Sequence, residues 1–285
     1  MLQWETWNIL SYGAGTPSTT LALASCQNAQ HGPPYPYPLV PVYDAVIFCD
    51  LHSEPNWVYK QAGFVAAACK KAGIPFFNLD SDLYGDFTRC FGQARTASIP
   101  FWTRDTDGNS GRMPRQCTYD YKVRVIEKFV RYNLFGYKPR QRTLPLDKNA
   151  HSMHMGIMWE ERRRAKESKQ SLFINQYPLV DMGWTRADCY AYNKEVWGLE
   201  TKASSCLFCP FHTNFFYQYL REYEPESYAR ALHIDEILHS RPAYPALRSK
   251  LFLSKSRKRL LDLPVGDCQD ARTFLYRESP VWDGF

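Results

Sequence analysis

No apolar run among the 285 residues approaches the ~20 needed for a membrane-spanning helix, so a soluble chain is expected. The first residues show no basic stretch followed by an apolar core, so no signal peptide is expected and the location expected is cytoplasmic. Internal repeats and low-complexity tracts are lacking, which excludes solenoid and linker-dominated architectures. A disulfide framework is lacking too: the nine cysteines are an odd number, in a chain too long to need such staples. Charge of one sign is not in large excess; a net +6 suits an anionic ligand and by itself falls short of establishing nucleic-acid binding. What is plentiful is core material, with 45% hydrophobic and 15% aromatic residues, which excludes general disorder.

The stretch on which the chain centres is Asn8 to Thr20, N-I-L-S-Y-G-A-G-T-P-S-T-T. An apolar pair, Ile9 and Leu10, runs into Ser11, Tyr12, Gly13, Ala14 and Gly15, and Thr16, Pro17, Ser18 and Thr19 then open a helical run. A strand, a glycine turn and a helix start together form a phosphate cradle: small residues let the main chain approach an oxyanion, and hydroxyls and N–H groups meet its charge. Pro17 suits a first helical turn, where its missing donor costs nothing. The loop has neither the Gly-Lys-Ser/Thr ending of a Walker loop nor the spacing of a dinucleotide fingerprint. A tight turn with no ligand is the bland alternative.

Beyond a proline-rich break at 31–41, Asp44 to Cys49 is expected as a buried strand, Trp57 to Ala72 as a helix ended by Gly73 and Pro75, and Phe76 to Leu79 as a third strand. Alternation of strand and helix over 80 residues implies a parallel α/β sheet, with ligands at the carboxyl ends of its strands. A short helix is expected over Asp86 to Ser98, a mobile polar loop over Arg104 to Gln116, and a helix from about Asp120 to Arg131 that turns Val123, Val125, Ile126, Phe129 and Val130 inward. His154 to Ile157 and Ile174 to Val180 are expected as the fourth and fifth strands. Thr185 to Asp188 caps a further helix, and two amphipathic helices (Asn214 to Glu222, Glu226 to His239) and a basic tail (Lys250 to Arg259) follow. The fold class expected is a Rossmann-like, parallel five-stranded sheet flanked by helices, with a helical cysteine-bearing C-terminal part. The domains expected are a nucleotide-binding α/β domain over 1–182 and a helical region over 183–285.

The strongest chemical signal is Cys206-x-x-Cys209 followed by Pro210, with Cys117 beside a basic loop and Cys189 at a helix start. Thiolates gathered at one point suit an iron–sulfur cluster or structural zinc equally by ligand type, and a lone pair of cysteines could be redox-active. For Cys189 the competing reading is buried core. Cys26, Cys49, Cys69 and Cys90 read as packing, and Cys268 carries no reading. Arg104, Arg112, Arg115 and Lys122 surround Cys117 in sequence and would clamp phosphate or sulfate, or form a solvated basic loop. Asp50 ends a strand and would meet a ribose or adenine, or serve as a turn residue. Lys250, Lys255, Arg257, Lys258 and Arg259 would touch nucleic acid or form a solvated face.

Four ordered elements resemble the phosphoadenosine-phosphosulfate-reductase-like branch of the PP-loop ATP pyrophosphatases, the adenine nucleotide alpha-hydrolase fold. Ser11 to Thr19 is similar to the S-Y-G-G-G-x-x-S-T form of the loop after strand one. Arg115-Gln-Cys117-Thr118 with Tyr121-Lys122 resembles R-x-C-T-x-x-[FY]-K. Gly156-Ile157 followed by Glu160, Glu161 and Arg164 resembles G-I-x-x-D-E-x-x-R. Tyr177-Pro-Leu179, Trp184-x-Arg186-x-Asp188-Cys189 and Ser205-Cys206-x-x-Cys209-Pro-Phe211 resemble the segment that closes the site. The match runs from about Ile9 to His212. One departure is plain: where the wider superfamily reads S-G-G-x-D-S, Pro17 stands at the Asp position and Gly13 at that of the first Ser, which bears on hydrolysis of ATP more than on its binding.

The resemblance implies ATP and Mg²⁺ at Ser11, Tyr12, Gly13, Gly15, Thr16, Ser18, Thr19 and Asp50, with Arg115, Lys122, Glu161 and Arg164 in the chemistry. It tilts Cys117, Cys189, Cys206 and Cys209 toward a [4Fe–4S] cluster, with zinc as the alternative. It implies an ATP-pyrophosphatase-type enzyme that adenylates an acceptor and supports sulfur transfer. The acceptor would be RNA, DNA or a metabolite, the sulfur donor a protein such as a cysteine desulfurase, and a homo-oligomer is compatible. The alternatives are an adenylyl or phosphoadenylyl sulfate reductase, against which the lack of cysteine in Thr273 to Phe285 counts, and a non-catalytic nucleotide-binding subunit of a larger, for example phage-defence, assembly.

Overall fold

The computed structural model describes residues 6–92, 99–143, 150–169, 171–240 and 249–263. Cys268 and the stretch from Thr273 to Phe285 lie outside the described residues. Two compact units are present, each assembled from separated stretches: residues 1–49, 57–79 and 126–204 in the first, and 50–56, 80–125 and 205–285 in the second.

The first unit is an α/β layer structure around a five-stranded parallel sheet. Its strands are β1 (Asn8–Tyr12), β2 (Ala45–Asp50), β3 (Phe76–Asp80), β6 (His151–Met155) and β7 (Phe173–Gln176), in the order β3-β2-β1-β6-β7. In register, Leu10 of β1 lies opposite Val46 of β2 on one side and His154 of β6 on the other. β2 reads A-V-I-F-C-D and is buried over its first five residues because helices cover both faces of such a sheet, which leaves no polar face to alternate with. Ile9, Leu10, Val46 and Ile47 are all fully buried, each contributing about 1.5–3 kcal/mol through removal of apolar surface from water.

Helix α1 (Thr16–His31) follows β1, and α2 (Asn56–Ala72) follows β2. α6 (Arg186–Trp197) packs on α1. It starts at the expected capping box: the Thr185 hydroxyl accepts from the Asp188 N–H while the Asp188 carboxylate accepts from the Thr185 N–H, and left-handed Gly198 ends it. Such a cap stabilises by about 1 kcal/mol.

The strand expected over His154 to Ile157 starts earlier and ends at Met155, and four further departures change the elements themselves. Ile174 to Val180 is strand only to Gln176; Pro178 cannot donate to a ladder and instead opens a single turn, α5 (Pro178–Asp181). The helix expected from Asp86 begins earlier, as α3 (Leu83–Cys90), because Asp82 accepts the Gly85 N–H as its cap; residues 93–98 lie outside the described residues. Val123 is exposed rather than inward, because π turns at Tyr119–Val123 and Val130–Leu134 flank a single α segment, α4 (Arg124–Phe129), and the extra residue per turn rotates the apolar face so that Ile126 and Val130 are the buried positions.

The fourth departure is the largest. Arg104 to Gln116 is not a plain loop: β4 (Trp102–Arg104) and β5 (Ser110–Arg112) form a hairpin, and the expected basic tail adds β8 (Lys250–Phe252) to give an antiparallel sheet ordered β5-β4-β8. This sheet belongs to the second unit, with α3, α7 (Asn214–Tyr223) and α8 (Pro225–Ser240). Its core holds Phe87, Phe208, Tyr217, Leu220 and Ile234. Among the described residues no helix is long and apolar enough to cross a membrane.

Candidate functional site

The strand order reverses direction at β1: β2 and β3 are laid down on one side, and the chain then crosses to β6 and β7 on the other. In open α/β sheets the crevice outside the carboxyl ends at that reversal is where ligands bind. Two segments leave the sheet there, the Gly13–Gly15 turn after β1 and Gly156–Ile157 after β6. They touch backbone to backbone: a Cβ on Gly156 would stand 2.5 Å from the nitrogen of Ser18 and 2.9 Å from the carbonyl carbon of Pro17. Only a glycine admits the first turn of α1 so close.

The turn itself is held from three directions. The Ser18 hydroxyl accepts from the Gly13 N–H at 3.3 Å and donates to the Gly15 carbonyl at 3.2 Å. Ala14 adopts a left-handed conformation, φ 53°, at a cost of about 1–2 kcal/mol for an L-residue. It is fixed there by buried Gln61 of α2, whose amide donates to the Ala14 and Lys202 carbonyls and accepts the Lys202 N–H at 2.6 Å. Ser204 lies over the turn, its Oγ 2.9 Å from where a Cβ on Gly15 would be. Asn193 joins the Thr16 carbonyl to the Thr201 hydroxyl.

The helix start is suited to an anion. Gly15 occupies the cap position without a side-chain cap, and the first turn of α1 contains no acidic residue. The N–H groups of that turn and the positive end of the helix dipole are therefore directed at whatever lies outside Gly15. Of the residues expected to bind nucleotide, Gly13, Gly15, Thr16 and Ser18 are in this turn, and half-buried Ser11 is on the strand leading to it. Tyr12 and Thr19 face the core, hydroxyl to hydroxyl at 3.2 Å, and burial pushes the Tyr12 phenol upward. Asp50 ends β2 and accepts the His52 N–H at 2.8 Å, as a turn residue does.

Glu161 and Arg164 lie in a 3-10 turn, Trp159–Arg164, beyond Gly156. The Glu161 carboxylate, 12% exposed, pairs with Arg164 at 2.7 Å and has Arg186 at 3.8 Å. Cys189 of α6 is fully buried, with its carbonyl 3.4 Å from the Thr20 hydroxyl of α1. Burial, first, pushes its thiol up to about 12; the Thr20 hydrogen bond lowers it, and the charges of Asp188 and Glu160 add to the rise.

The second unit contains the other three of the four cysteines expected to hold metal, Cys117, Cys206 and Cys209. Cys206 and Cys209 are joined by a tight turn, the Cys209 N–H donating to the Cys206 carbonyl at 2.9 Å, and His212 Nε2 lies 3.0 Å from the same carbonyl. Burial raises the Cys206 thiol well above its ordinary value, with the charge of Glu54 next, then Cys209 and Cys117. The Cys209 thiol is also raised, by burial, with Cys117 adding and Ser205, the Phe211 N–H and Arg115 opposing. Cys117 thus acts on both thiols, Lys122 on Cys206 and Arg115 on Cys209. Lys122 Nζ is 3.0 Å from Oε1 of Glu54, a carboxylate only 1% exposed, and Arg115 Nε donates to Thr118 at 3.0 Å. Among the described residues no group of three or more His, Cys, Asp or Glu side chains meets the geometry of a metal site. The donor type nevertheless suits one: a thiophilic ion displaces protons from cysteine thiols, and Cys206 and Cys209 are joined by one tight turn, as paired thiolate ligands are.

Sequence reasoning missed Gln61, Asn193, Ser204 and Glu54. Gln61 and Asn193 sit inside helices with no local signal. Ser204 adjoins the Ser205-Cys206 motif, and Glu54 lies in the loop that follows β2, at the carboxyl end of a strand where ligands are expected. Comparison with protein-family models, with curated proteins and with solved structures finds no match to this chain.

Proposed function

We propose that the chain is an ATP-pyrophosphatase-type enzyme of the PP-loop kind, in which the first unit binds ATP, an acceptor is adenylated, and the thiol centre of the second unit serves sulfur transfer. The observation that supports this best is the β1–α1 turn at the strand-order reversal, with its uncapped helix start and the glycine contact between Gly156 and Ser18. The triphosphate lies along Gly13–Ser18, where N–H groups and the helix end face its charge. An acceptor oxygen attacks the α-phosphate and pyrophosphate leaves. The turn then stabilises charge that grows on the phosphate oxygens, which is where fixed donors help most. Arg164 and Arg186, oriented by Glu161, supply cations of the same unit. Cys117, Cys206 and Cys209 would hold an iron–sulfur cluster or zinc; when bound, such a group stabilises thiolate and sulfide sulfur.

A second reading is favoured by one observation. The position that is acidic in the wider superfamily is Pro17, and no acid stands in the first turn of α1. A nucleotide-binding subunit without turnover would need none. Pyrophosphate release from ATP with Mg²⁺ and candidate acceptors separates the two. Release that is lost in Ser18→Ala supports the enzyme. Retained ATP affinity without release for any acceptor supports the subunit.

A further inference from the structure

The antiparallel sheet of the second unit brings together two basic stretches that are about 140 residues apart in sequence. In register, Arg104 of β4 lies opposite Lys250 of β8, and Trp102 of β4 opposite Arg112 of β5. Strand alternation places Trp102, Arg104, Arg112 and Lys250 on one face, with Phe252 opposite Trp102 buried at its edge against His239, and Leu251 on the other face. Arg257 ties the segment after β8 to the same sheet, its Nε donating to the Thr103 carbonyl at 3.1 Å, and with it come exposed Lys255 and Lys258.

Six cations are thus carried by this sheet and the segment that follows it: Arg104, Arg112, Lys250 and Arg257 by register or contact, and Lys255 and Lys258 as exposed neighbours of Arg257 in sequence. None of the six is in an ion pair with a carboxylate among the described residues. Two nearby acids, Asp105 and Asp107, lie in the β4–β5 turn; Asp105 is occupied with the N–H groups of Asp107 and Asn109 and the Asn109 amide. Arg259 is engaged by Asp235 at 3.6 Å and is left out of the set. Like charges directly opposite across strands, as at Arg104 and Lys250, destabilise a sheet. A polyanion lying along it would relieve that repulsion.

The aromatic residues narrow the partner. Trp102 has the Arg112 guanidinium 5.7 Å from its ring centroid and that of Arg257 at 5.3 Å, and Arg112 lies 4.5 Å from the centroid of Phe211. A ring and guanidinium planes set among unpaired cations have the make-up of a stacking platform for unpaired bases, which a duplex does not offer.

We propose that this sheet binds single-stranded nucleic acid, its phosphates on the six cations and a base stacked in the Trp102–Arg112 group. The inference does not depend on the nucleotide reading of the first unit, and its test is made without ATP. A fluorescein-labelled single-stranded DNA of mixed sequence is titrated with the full-length chain and followed by anisotropy at several salt concentrations, beside the same sequence as a duplex. Full engagement of the six cations gives a slope of log affinity on log salt of about −4. The double variant Arg104→Glu/Lys250→Glu should bind about tenfold or more weakly, with a shallower slope and an unchanged melting temperature. A control on the first unit, Lys60→Glu/Lys70→Glu, should bind like the wild type. Wild-type affinity in the sheet variant, absence of binding at low salt, or equal affinity for the duplex would each overturn the proposal.

Discussion

Gly156 and Ser18 meet backbone to backbone, so closely that a Cβ on Gly156 would stand 2.5 Å from the Ser18 nitrogen. The neighbour is main chain in the first turn of a helix, which cannot swing aside as a side chain would. Gly156→Ala should therefore displace the start of α1, destabilise by about 1–3 kcal/mol as overpacking does, and weaken ATP binding by about tenfold or more. Gly63 of α2 is the control, since nothing lies within 4 Å of its would-be Cβ. Gly63→Ala should stabilise by about 0.5–1 kcal/mol and leave ATP binding intact. Thermal melts and calorimetric titration read both.

Glu54 is a second point of leverage. Its carboxylate is 1% exposed and pairs with Lys122, itself 31% exposed. Lys122→Met takes away that ammonium and should cost on the order of 2–4 kcal/mol, more than a surface ion pair and less than a fully enclosed one. Glu54→Gln/Lys122→Met should recover part of the loss. Urea unfolding of the two variants measures the difference, and equal losses would contradict the pairing.

The cysteines should separate into two classes. Serine at Cys117, Cys206 or Cys209 should lower the zinc or iron taken up per chain by the full-length protein. Cys189→Ser should leave uptake unchanged and reduce stability, because its thiol is enclosed beside Thr20 in the packing of α1 on α6. Metal analysis and melting temperature on the four variants give the answer, and loss of metal in Cys189→Ser would contradict it.

Acid should weaken the first unit through His154. Its imidazole is 5% exposed between Asn8 and Tyr43, and burial lowers it to about 4 from 6.5. The unfolded chain binds the proton more readily between those values, so this contribution is complete above about pH 6.5 and is lost as pH falls toward 4. His52, raised mainly by its hydrogen bond to Asp80, acts in the opposite sense, but it is largely exposed and screened. His154→Gln should flatten stability over that interval, as read from urea midpoints at each pH.

The fold was legible where one signal was enough. β2 announces itself as a five-residue apolar run, α6 by its Thr185–Asp188 box, and the loop after β1 by its glycines. The antiparallel sheet was not legible, because each strand has only three residues and its pairing partner, Lys250–Phe252, is remote in sequence. Val123 was misplaced because a period of 3.6 does not hold through a π turn. At the site, motif residues such as Gly156 and Ser18 could be read from the chain, whereas Gln61 and Asn193 could not: their roles lie in hydrogen bonds to backbone carbonyls, which leave no trace in spacing.

Whether the β1–α1 turn binds the phosphates of ATP is read by amide hydrogen exchange with and without saturating ATP and Mg²⁺. Slowed exchange is expected, confined to the amides from Gly13 to Thr19 and those flanking Gly156, with that protection lost in Gly156→Ala. Bound ATP with unchanged exchange across this turn, or no binding at millimolar ATP, would contradict it.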